Sequence, residues 1–134
     1  MSALPADEAA VGGVRAPVLV ADDDSDVRTM VRMLLELDGH RVLEAKDGSV
    51  AWELIQSHKP AVVVADVQMP GMTGLQLCRK VKDSEGGATI KVIVYTAGMA
   101  SREESILAGC DAYFLKTDPL PGLRDAVRRF YDLA

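Results

Sequence analysis

Five short apolar runs, each followed by a stretch of helical periodicity, constrain this chain more than any other feature. They are Val18-Leu19-Val20-Ala21, Arg41-Val42-Leu43-Glu44-Ala45, Ala61-Val62-Val63-Val64-Ala65, Ile90-Lys91-Val92-Ile93-Val94-Tyr95 and Ala112-Tyr113-Phe114-Leu115. Runs this short and this rich in β-branched residues read as strands. Between them, apolar residues recur at helical spacing. Val27, Met30, Val31, Leu34 and Leu35 follow a cap at Asp24 or Ser25, and Gly39 suits the left-handed position after that helix. Asp47-Gly48-Ser49 opens a second helix through Ala51, Leu54 and Ile55, stopped before Pro60. A third covers about 73–83 and a weakly amphipathic fourth about 100–108. The last carries Leu123, Val127 and Phe130 on its inner stripe, with Asp118 read as the capping acid before Pro119.

Strict alternation of apolar strands and helices predicts an α/β fold, a doubly wound five-stranded parallel sheet with five helices covering both faces. Residues 1–15, rich in Ala, Gly and Pro, show no periodicity and are expected to be a flexible N-terminal extension, leaving 16–134 as the domain. Composition agrees with a globular protein: 134 residues, 49% hydrophobic and 26% charged. The net charge of −5 argues against direct nucleic-acid binding, which needs a basic face. No secretory signal or membrane-length apolar run is visible, so the expectation is a soluble, cytoplasmic chain with Cys78 and Cys110 reduced.

In a sheet of this kind the working crevice lies outside the carboxyl ends of the strands. That rule gathers Asp22 and Asp23, Asp66, Thr96 and Lys116 on one edge. Three converging carboxylates repel unless a cation neutralises them. A hard divalent ion is the natural partner: Mg²⁺, with Mn²⁺ as a substitute, held by Asp22, Asp23, Asp66 and the backbone carbonyl of Gln68. Asp66 can then act as a nucleophile toward phosphorus, with Lys116 and Thr96 stabilising the transferred oxygens. Asp24 reads as a cap rather than a ligand. Trp52 reads as packing, and His40 and His58 receive no catalytic role.

These residues resemble the response-regulator receiver domain (CheY-like) of two-component signalling over about residues 17–133. The resemblance rests on Asp22-Asp23 after the first strand, Asp66 with Met69-Pro70 and Gly74, Thr96-Ala97, Lys116, and the stretch from Ala108 to Tyr113. It implies a flavodoxin-like strand order 2-1-3-4-5. It also implies that Asp66 is the phospho-acceptor in a phosphorelay, with a histidine kinase or histidine phosphotransfer protein as donor. Thr96 and Tyr113 would form the switch. Helix 4, strand 5 and helix 5 would be the face read by a downstream protein, or by a second copy in a homodimer. Gln68 and Gly98 would tune hydrolysis of the aspartyl phosphate.

One departure is that Lys116 is followed by Thr117 where the family usually has proline, so the loop is expected to take a somewhat different route. Two rival readings remain at this point. One is a phosphorylation-independent pseudo-receiver scaffold. The other is a metal-dependent aspartyl phosphohydrolase, against which stands the lone nucleophile after the third strand rather than a D-x-D after the first. Ending one helix after Lys116, the chain is expected to be either a stand-alone receiver or part of a larger regulator or hybrid kinase.

Overall fold

The computed structural model describes residues 15–133. The elements are β1 (Val18–Ala21), α1 (Ser25–Leu37), β2 (Val42–Ala45), α2 (Gly48–His58), β3 (Val62–Ala65), α3 (Gly74–Asp83), a single 3₁₀ turn (Gly87–Thr89), β4 (Lys91–Thr96), α4 (Arg102–Leu107), β5 (Ala112–Leu115) and α5 (Leu120–Leu133). The strands form one parallel sheet in the order β2-β1-β3-β4-β5. Apart from Arg15, the expected N-terminal extension lies outside the described residues.

Alternation along each strand divides the core in two, because successive side chains leave opposite faces of a sheet. Leu19, Val63, Val92 and Val94 pack on one face with Ala51 and Ile55 of α2 and Leu77, Cys78 and Val81 of α3. Val18, Val20, Val62, Val64 and Ile93 pack on the other with Val31 and Leu35 of α1 and Leu123 and Val127 of α5. Burying both faces explains why the central strands read as unbroken apolar runs rather than as an alternating pattern.

Side-chain caps fix where the helices begin. Asp24 accepts from the amides of Asp26 and Val27, and Asp47 accepts from that of Val50. Thr73 with Gln76 and Ser101 with Glu104 form reciprocal capping boxes. The Ser101 box starts α4 two residues later than the sequence pattern suggests, because Ser101 itself is extended and caps the helix. β4 runs one residue further than expected and takes in Thr96, while Arg41 stays exposed outside β2.

Asp118 is a correction. Its carboxylate does not serve as the expected cap; it turns back to accept from the amide of Leu115 at 2.8 Å. Cys78 and Cys110 are both buried free thiols, and burial pushes Cys78 up to about 12. No helix among the described residues is long and apolar enough to cross a membrane.

Candidate functional site

Strand register places the polar residues. Ala21 stands beside both Ala45 and Ala65, and Thr96 beside Leu115, so the residues that follow these strands emerge along one edge. Backbone bonds extend the sheet one step further: the Asp22 amide donates to Ala45 O at 3.0 Å, that of Asp66 to Ala21 O at 2.9 Å, and that of Lys116 to Thr96 O at 2.7 Å. Asp66 is therefore held by sheet geometry, not by a mobile loop. The turn after it is pinned by two glycines. A Cβ on Gly74 would overlap the Asp66 carbonyl, and one on Gly48 would overlap the backbone of Met72. Only a residue without a side chain lets α3 begin against the acceptor's own peptide.

Asp22, Asp23 and Asp66 each offer a carboxylate oxygen, all within 4.8 Å of one another. Asp22 and Asp66 are buried while Asp23 is exposed. The Lys116 ammonium bridges the two buried acids, 2.9 Å from Asp22 Oδ2 and 3.1 Å from Asp66 Oδ2. Burial raises the Asp22 carboxyl above the usual range, and the Lys116 contact and the Asp24 amide offset this only in part. Burial pulls Lys116 down, but its hydrogen bonds to Asp22 and Asp66 and their charges outweigh this and leave it raised.

Asp23, Asp24, Asp66, Gln68, Ala97 and Lys116 border a shallow pocket of about 610 Å³. Asp23 and Asp66 at the pocket, with the buried Asp22 beside them, form a hard-oxygen donor set, and such a set fits a Mg²⁺ that keeps several waters. Gln68 stands exposed at the pocket's edge.

Thr96 is less directly presented. It is fully buried, its hydroxyl accepts from the Gly98 amide at 3.3 Å, and Ala97 rather than Thr96 borders the pocket. Tyr113 is half-buried away from the acids. Its hydroxyl donates to Ala100 O at 2.6 Å, and the Arg102 guanidinium lies 5.2 Å from its ring centroid. The residues thus divide into an assembled acid–lysine cluster and a Thr96/Tyr113 pair lying beside it.

Two supporting roles had no signature in the sequence. Arg28 on α1 donates to the Asp22 carbonyl at 2.8 Å while pairing with Glu44 of β2 at 3.0 Å. Asp118 closes the loop after Lys116. Arg28 lies six positions after Asp22, and the path of α1 brings them together.

Residues 18–128 match the response regulator receiver domain family. The chain belongs to that family. Receivers are signalling proteins rather than enzymes acting on an external substrate. Among curated relatives, the response regulator MprA of Mycolicibacterium vanbaalenii is 36% identical over 111 residues. Those residues are 83% of this chain and 48% of MprA, so the chain spans about half the length of the curated relatives it matches.

The chemotaxis response regulator CheY4 of Vibrio cholerae superposes with a TM-score of 0.79 at 26% identity, covering 87% of this chain and 99% of that one. The Thermotoga maritima response regulator TrrA, in complex with Mg²⁺ and BeF, gives a TM-score of 0.77 at 26% identity, covering 85% of this chain and 97% of that one. The strand order and the receiver identity expected from the motifs both hold.

Proposed function

We propose that this receiver is a phosphorylation-controlled interaction module whose acceptor is Asp66. A carboxylate oxygen of Asp66 attacks the phosphorus of a phosphohistidine on a histidine kinase or phosphotransfer protein. The P–O bond forms as the P–N bond breaks, and the bonding pair leaves with the imidazole nitrogen, which is protonated as it departs. Lys116 pairs with the transferred oxygens in place of its bond to Asp66, and Thr96 reaches them by giving up the Gly98 amide. Mg²⁺ bound by Asp22, Asp23, Asp66 and the Gln68 carbonyl would neutralise charge on the phosphoryl group.

The observation that carries this reading is the Lys116 ammonium drawn between Asp22 and Asp66 beside the exposed Asp23, a site electrostatically prepared for a transferred anion. Movement of Thr96 would draw Tyr113 away from Ala100 and alter the face of α4, β5 and α5. Exposed Met99, Ile106 and Leu107 near that face support a protein-docking role, toward a downstream target or a second copy. Self-catalysed loss of the phosphoryl group would use the same site, and the exposed Gly98 would leave an approach for water.

Intact mass after incubation with Mg²⁺ and a small phosphodonor tests the reading. One added phosphoryl group is expected in the wild type, and none with Mg²⁺ chelated or in Asp66→Asn. No adduct at any Mg²⁺ concentration would favour the scaffold reading, and sustained turnover of a phosphate ester would favour the phosphohydrolase.

A further inference from the structure

Lys116 is anchored from both edges of its strand. In a parallel strand successive amides point to opposite sides, so the Lys116 amide faces β4 and meets Thr96 O at 2.7 Å, while Leu115 faces outward. β5 lies at the end of the sheet order beside β4, so among the described residues no strand pairs the outward groups of Leu115. Asp118 takes both of them. Its carboxylate Oδ2 accepts from the Leu115 amide at 2.8 Å, and its own amide donates to Leu115 O at 2.9 Å. Asp118 thus acts as one residue of an additional strand at the point where β5 gives way to the loop.

From this juxtaposition we infer that Asp118 is a positioning residue for the phosphoryl-transfer site, clamping the outer edge of Leu115 so that the adjacent Lys116 side chain is aimed at Asp22 and Asp66. The inference rests on the reading of Lys116 as a group that contacts the transferred phosphoryl. The leverage is geometric. A lysine stem of about 6 Å turns a backbone tilt of about 10° into roughly 1 Å at the ammonium, a displacement that typically costs on the order of a hundredfold in rate. A carboxylate accepting an amide at a strand end is also a strong, charge-assisted bond. Thr117, exposed and lying between Lys116 and Asp118, makes no hydrogen bond found among the described residues, so the loop's restraint falls on Asp118.

The test compares phosphorylation rates with a small phosphodonor at saturating Mg²⁺ in the wild type, Asp118→Ala, Asp118→Asn, Lys116→Met and the double variant Asp118→Ala/Lys116→Met. Each is assayed at a temperature where circular dichroism shows it folded. Asn keeps an oxygen that can accept from Leu115, so Asp118→Asn is expected to stay within about threefold of wild type, whereas Asp118→Ala slows by about tenfold or more. In the Lys116→Met background the alanine substitution adds nothing further, because its effect passes through the lysine. Amide exchange at Leu115 supplies a second readout, faster in Asp118→Ala and protected in Asp118→Asn.

Unchanged rate in Asp118→Ala, an undiminished effect in the double variant, or a protected Leu115 amide in Asp118→Ala would each overturn the inference. Failure of the wild type itself to accept a phosphoryl group would instead overturn the functional reading on which it rests.

Discussion

Replacing Lys116 with methionine removes the ammonium and keeps most of the stem, which isolates what the charge contributes. Two carboxylate oxygens lie 2.9 and 3.1 Å from Nζ. At an effective dielectric of about 20, each contact carries a gross attraction of about 5–6 kcal/mol. Most of that is offset by desolvation of the three charged groups, so the quantity to predict is the cost of removing one partner and leaving the others behind. For a buried pair this cost is about 3–5 kcal/mol. The lysine side chain is 20% exposed at an open pocket while Asp22's is 3% exposed, which lowers the expected loss to about 2–3 kcal/mol, or roughly 10 °C in Tm.

The loss depends on pH. Asp22 already titrates above the usual range through burial, and taking away Lys116 raises it further. A carboxyl raised in the folded state is harmless below its unfolded value, about 3.9, and costs stability as pH rises through the folded value. The two proteins should therefore differ least below about pH 4 and most at neutral pH. Urea unfolding from pH 3.5 to 7.5 without divalent ions measures this. Mg²⁺ should then stabilise the variant more than the wild type, by taking over neutralisation of the acids. A variant as stable as wild type at pH 7, or a difference that does not shrink on acidification, would refute the electrostatic reasoning.

Two further outcomes follow from the packing. Gly74→Ala forces α3 away from the Asp66 carbonyl and should cost about 1–3 kcal/mol by urea unfolding while slowing phosphorylation of Asp66. An unchanged rate would mean that the α3 start does not govern the acceptor's position. His40 is buried against Tyr131 of α5, ring centroids 4.9 Å apart, with neither ring nitrogen hydrogen-bonded among the described residues. Burial lowers its imidazole below 6.5, opposed chiefly by Asp38. Stability from the neutral ring is then complete above about pH 6.5 and lost as pH falls toward the depressed folded value, a slope that His40→Leu should flatten. An identical slope in that variant would assign the acid sensitivity to other groups.

The fold was legible because its signals are local and redundant. The central strands are apolar on both faces, and the caps at Asp24, Asp47 and Thr73 stand where the helical patterns begin. The acidic cluster was legible for a related reason: Asp22, Asp66 and Lys116 each follow a strand directly, and a parallel sheet brings strand ends together. Other features depend on tertiary placement that the sequence pattern does not carry. Arg28 reaches the Asp22 carbonyl because Glu44, on a strand sixteen residues later, orients it. Asp118 followed by proline has the local appearance of a helix cap, yet an unpaired strand edge competes for its carboxylate and wins. Thr96 was placed correctly at a strand end, but its complete burial became visible only once the sheet was assembled.

Mapping the phosphoryl group onto the chain decides whether Asp66 receives it. The phosphorylated protein is reduced with borohydride, which converts an aspartyl phosphate to homoserine, and its tryptic peptides, including Ala16 to Arg28 with Asp22 and Asp23 and Asp47 to Arg79 with Asp66, are sequenced by mass spectrometry. Homoserine at position 66 alone, dependent on Mg²⁺, is expected. Conversion at Asp22 or Asp23 in place of Asp66, or a stable phosphoryl group on a serine, threonine or histidine, would contradict it.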